Sequence, residues 1–119
     1  MILIHGTTRD RAEHLLFHPP NLGFQEPGSQ FADESFSMYV EGGPYDFGTP
    51  EEYALAKSKL FPGENGPVLL RVDVPDDIVR WAENEWFPIK HGLVQFDPGA
   101  GIEELSSVWA SLPKGIQEL

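Results

Sequence analysis

The sequence predicts a single α+β domain over residues 1–119, a mostly antiparallel sheet with helices inserted between its strands. Three observations carry that expectation. Two apolar runs, Ile2-Leu3-Ile4 and Val68-Leu69-Leu70, have the composition of buried strands, and Phe36, Met38 and Val40 alternate as in a half-buried one. Helix-start chemistry at Thr49-Pro50-Glu51-Glu52 falls between those strands. Clusters of Pro, Gly and Asn separate the segments, and neither an internal repeat nor a linker is visible.

In chain order, the first strand covers about 1–5 and is followed by a helix from Thr8 to Phe17. Thr7 with Asp10 resembles a capping box, Arg9 and Glu13 are spaced to pair, and Ala12, Leu15 and Leu16 form the apolar face. Pro19 and Pro20 stop this helix, and residues 19–34 read as an irregular loop. After the strand Ser35–Val40, Gly42-Gly43-Pro44 makes a break and Tyr45-Asp46-Phe47-Gly48 a short extended piece. The Thr49-capped helix runs to Leu60 and is expected to bury Tyr53, Ala56 and Leu60. The strongest strand signal, Pro67 to Pro75, suggests a central position. Residues 85–89 and 93–96 could pair as a hairpin across Lys90-His91-Gly92, with Pro88 confining the first to an edge. A last helix over about 102–111 buries Ile102, Leu105, Val108 and Trp109.

The chain carries a formal net charge of -11 with only eight Lys and Arg, scattered along it. Nucleic acid is therefore not an expected partner, since phosphate contacts need clustered bases. Such acidity suits solubility or a basic protein partner. Cysteine is absent, which removes disulfides, thiolate metal sites and a cysteine nucleophile. No run of about 18 apolar residues occurs, so no membrane partner is expected. Met1 opens directly into the strand pattern, and a cytoplasmic location is the expectation.

Few residues combine into a chemical motif. His14 and His18 have a metal-compatible i,i+4 spacing, but Pro19 follows at once and no third ligand is near, so no metal is expected. No serine sits on a nucleophile elbow, and no glycine-rich phosphate loop occurs. What remains is His5-Gly6-Thr7 at the end of an apolar strand, with the aromatic-rich middle of the chain. This order of elements, with that motif, resembles the ADP-ribosyltransferase superfamily over roughly residues 2–96.

The resemblance implies an NAD-binding enzyme that cleaves the nicotinamide–ribose bond and transfers ADP-ribose to an acceptor. On it, His5 would hold the nicotinamide ribose, the backbone of Gly6 the nicotinamide amide, and Thr7 would complete the motif. Tyr45 or Phe47, before the Thr-capped helix, would stack on the ring; Phe31 is the alternative. Glu85, in Glu83-Asn84-Glu85, would be the catalytic carboxylate beside His5, with Gln95 an alternative unable to act as a base. A non-catalytic acidic module binding a protein partner is the competing expectation.

Overall fold

The computed structural model describes residues 1–20, 36–46, 48–82, 91–97 and 100–119, apart from the side chain of Trp81. Within them, five strands form one antiparallel sheet in the order β4-β2-β1-β3-β5. The strands are β1 (Ile2–Thr8), β2 (Phe36–Val40), β3 (Pro67–Asp73), β4 (Leu93–Phe96) and β5 (Lys114–Glu118). Helices α1 (Arg9–Phe17), α2 (Pro50–Leu60), α3 (Asp76–Val79) and α4 (Ala100–Val108) connect and cover them, with short 3₁₀ turns at Arg80–Ala82 and Trp109–Ser111. This is a small α+β domain, as its sequence pattern predicts. None of the described helices is long and apolar enough to cross a membrane.

β3 lies inside the sheet between β1 and β5, as its apolar start suggests, and β1 is the middle strand. β1 pairs with β3 over seven positions, from Ile2 opposite Asp73 to Thr8 opposite Pro67. Its continuous apolar start suits a place in the middle, where both faces are covered.

Alternation along the strands divides the sheet into two unequal faces. One face carries Leu3, Phe36, Met38, Val68, Leu70, Val72, Val94 and Phe96. It packs against Ala12 and Leu15 of α1, Ile78 and Val79 of α3, Ile102 and Leu105 of α4, and Trp109. The other face is covered by α2, and its apolar cluster among the described residues is Ile4, Ala54 and Leu69. Leu93 is also buried on this side, opposite Tyr39, and beside it lie polar groups: Lys57, Gln95 and the Tyr39 phenol.

Several local expectations change in the fold. β1 runs on to Thr8, and Thr8 rather than Thr7 caps α1, its hydroxyl accepting from the Arg11 amide. The same hydroxyl donates to Glu64 at 2.8 Å, which also takes the Arg11 guanidinium at 2.8 Å, so one carboxylate ties the end of β1 to the turn before β3. Thr49 caps α2 as read, accepting from the Glu52 amide at 3.1 Å. The stripe of α2 facing the sheet is Pro50, Ala54 and Lys57, while Ala56 and Leu60 are exposed. β4 pairs with β2, Leu93 opposite Tyr39 and Phe96 opposite Phe36. Residues 85–89, the expected partner in a hairpin, lie outside the described residues. β5 was not legible from periodicity and forms the sheet's end beside β3.

Candidate functional site

The site is built around the place where β1 and β2 part. Their ladder contains only Leu3 opposite Val40 and Ile4 opposite Tyr39. The Glu41 amide donates to the Ile2 carbonyl at 3.1 Å, which identifies Ile2, Ile4 and Gly6 as the residues whose backbone groups face β2. A continued ladder would join the Gly6 amide to the Ser37 carbonyl. That carbonyl instead accepts from His5 Nδ1 at 2.9 Å. A carbonyl only accepts, so Nδ1 is the donor in this bond.

Neighbouring residues of a strand point to opposite faces, which separates the members of the His-Gly-Thr motif. His5 and Thr7 face the large core. His5 is 3% exposed and stacks on Phe36 with ring centroids 4.6 Å apart, and Phe36 meets Trp109 edge-on at 6.1 Å. Gly6 faces α2. A methyl group on Gly6 would lie 2.2 Å from the Pro50 carbonyl oxygen and 3.0 Å from the Ala54 nitrogen, so the missing side chain is what seats the start of α2.

Three tyrosines gather on the Gly6 side. Tyr39 meets Tyr45 nearly edge-on, with centroids 5.6 Å apart, and Tyr53 at 6.5 Å. Tyr45 is held by its hydroxyl, which donates to the Val40 carbonyl at 2.8 Å. Gly92 packs against it so closely that a methyl group there would lie 2.3 Å from the Pro44 carbonyl oxygen and 2.9 Å from the Tyr45 ring. The buried ammonium of Lys57 lies 4.7 Å from the Tyr53 ring centre. Ser37 and Gln95 are opposite each other on this same face. The Ser37 hydroxyl is buried and has no hydrogen-bond partner among the described residues.

The structure thus gathers Gly6, Tyr45, Ser37 and Gln95 on one side of the sheet and puts the His5 and Thr7 side chains on the other. Glu85, Phe47 and Phe31 lie outside the described residues. Sequence reasoning did not single out Ser37, Tyr39 or Lys57. The signal for Ser37 was its place two residues before Tyr39 on an alternating strand. Lys57 shares the stripe of Pro50 and Ala54 on α2, yet an ammonium in a helix reads as solvated until its neighbours are known.

Burial, with the nearby Glu52 carboxylate, raises the Tyr39 phenol above its ordinary pKa of 10.0, and burial with Glu51 raises Tyr45. The folded state therefore holds these protons more tightly than the unfolded chain does. Stability from this source is complete below about pH 10 and is lost as pH rises through the folded values. A spectrophotometric titration is expected to show Tyr39 and Tyr45 ionising later than a free phenol, and Tyr39→Phe to shrink that late component, leaving the share of Tyr45. A late component undiminished in Tyr39→Phe would count against the burial read here.

Neither a protein-family model, nor a curated protein, nor a solved structure matches the chain.

Proposed function

We propose that the chain binds NAD at the parting of β1 and β2 and acts as an ADP-ribosyltransferase-type protein. The observation that carries this reading is the pairing of two groups. The Gly6 backbone amide is turned toward β2 beyond the end of their ladder, and the buried Ser37 hydroxyl belongs to the residue a continued ladder would put opposite it. A carboxamide needs a backbone donor and acceptor plus one hydroxyl, and this set has the chemistry to hold the nicotinamide amide. The tyrosines on the same face supply aromatic surface for the ring. His5 contributes through its orientation: it occupies the Ser37 carbonyl that a continued ladder would give to Gly6, and the Ser37 hydroxyl has no partner among the described residues.

Cleavage of the nicotinamide–ribose bond develops positive charge on the ribose, which a carboxylate stabilises electrostatically. Glu85 is the residue the sequence offers for this role; the acceptor of the ADP-ribose is unassigned. A second reading, an acidic module that binds a basic protein, is favoured by one observation. Pro50 and Ala54 close the α-carbon of Gly6 on the α2 side, leaving no room for a ligand against that atom.

The test is thermal unfolding with NAD and, separately, with nicotinamide. At a concentration about a hundred times the dissociation constant, the melting temperature is expected to rise by roughly 10 °C. Ser37→Ala removes a hydroxyl with no partner among the described residues, so its own stability should equal or exceed wild type, while its affinity for nicotinamide falls about tenfold, the worth of one hydrogen bond. No response to either ligand across the accessible range would refute the NAD reading and favour the interaction module.

A further inference from the structure

We propose that the outer edge of β5 is a self-association surface through which two copies of this chain join their sheets, antiparallel and centred on Ile116. Among the described residues β5 is the last strand in the sheet order and pairs with β3 alone, from Val68 opposite Glu118 to Val72 opposite Lys114. The Asp73 amide donates to the Pro113 carbonyl at 3.0 Å. Antiparallel ladders alternate, so Gly115 and Gln117 also turn their backbone groups to β3, and Lys114, Ile116 and Glu118 turn theirs outward. An outward row of this kind is a template for a further strand, and β5 has neither a proline nor a bulge within it to block one.

The row is complementary to itself. When two β5 strands run antiparallel about a two-fold axis at Ile116, Lys114 falls opposite the partner's Glu118, Gly115 opposite the partner's Gln117, and Ile116 opposite its own copy. Every outward-facing residue then meets an outward-facing one, so backbone bonds and side-chain charges agree on the same register. Shifting it to centre on Lys114 or Glu118 sets like charges face to face and shortens the ladder, which disfavours both alternatives. Ile116 is partly buried against the large core, so the contact extends an apolar surface already in place.

The present partners of the two charges are compatible with this pairing. The Lys114 ammonium donates to the Trp109 and Leu112 carbonyls, two of its three hydrogens, and Glu118 pairs with Arg9 through one oxygen. The third hydrogen and the second oxygen are the groups that meet across the axis. A net charge of -11 on each copy opposes approach at low salt, so association belongs in buffer of physiological ionic strength.

The test is sedimentation equilibrium of the full chain over a wide concentration range, with circular dichroism to confirm folding. Wild type should show a monomer–dimer equilibrium. Ile116→Pro removes one outward amide without touching the β3 ladder, and it should give a folded monomer. Lys114→Glu should raise the dissociation constant about tenfold or more by opposing like charges twice over. Glu118→Lys should do the same, and the two together should restore association. A wild type that stays monomeric throughout, or a dimer indifferent to the charge reversals, overturns the proposal.

Discussion

Gly6→Ala should destabilise the fold by about 3 kcal/mol, the upper range for forcing an extra methyl group into a packed interior. Gly6 is not in a left-handed conformation, so its requirement is for space and not for backbone freedom. The atoms a methyl would strike are the Pro50 carbonyl oxygen at 2.2 Å and the Ala54 nitrogen at 3.0 Å. Both are backbone, so no side-chain rotation relieves the overlap; either α2 lifts or β1 bends. Ala54→Gly, made in the same chain, should therefore fail to rescue Gly6→Ala, because it leaves Pro50 in place. Urea unfolding measures this as a fall in midpoint at constant slope. A Gly6→Ala variant within about 0.5 kcal/mol of wild type would mean that α2 does not sit on Gly6 as described.

That result also bears on function. Loss of NAD binding in a destabilised Gly6→Ala protein would not distinguish a ligand-holding glycine from a helix-seating one. Ser37→Ala separates them, since the hydroxyl it removes holds no structural bond among the described residues. Two residues that neighbour each other across the strand parting thus play opposite parts as probes: one reports packing, the other recognition.

How much of this was legible in the sequence differs by residue. The buried first strand was readable because three apolar residues in a row need cover on both faces. The Thr49 cap was readable because N-cap chemistry is local. The separation of His5 from Gly6 was readable in principle, since adjacent strand residues oppose each other, but which helices cover each face was not. That depends on α1, α3 and α4 all crossing to one side, which no local pattern encodes. β5 escaped because Lys-Gly-Ile-Gln-Glu carries one apolar residue, and its strand conformation comes from pairing with β3. Lys57 escaped because its burial depends on where α2 lands. The expected convergence of His5 with Tyr45 assumed that a motif at a strand end points one way; the side chains instead lie on opposite faces.

Trp109→Ala should cost about 4 kcal/mol, comparable with removing any large buried aromatic. Trp109 is 1% exposed and does three things at once. Its indole N–H donates to the Leu15 carbonyl at 2.8 Å, joining the end of the chain to α1 inside the core. Its ring stands edge-on to Phe36, which in turn stacks on His5. The Lys114 ammonium lies 5.2 Å from the ring centre, so the indole also supports the start of β5. Trp109→Phe keeps most of the aromatic volume but removes the N–H with part of the indole, leaving a buried carbonyl without that donor. It should cost about 1–2 kcal/mol, and the difference between the two variants measures the ring. The ring's support of His5 has its own consequence. Trp109→Phe should leave the ring stack with Phe36, and hence any nicotinamide affinity, close to wild type, whereas Trp109→Ala lets Phe36 relax into the vacated volume and His5 with it. Equal stability losses in the two variants would show that the hydrogen bond, and not the packed indole, holds this corner of the core together.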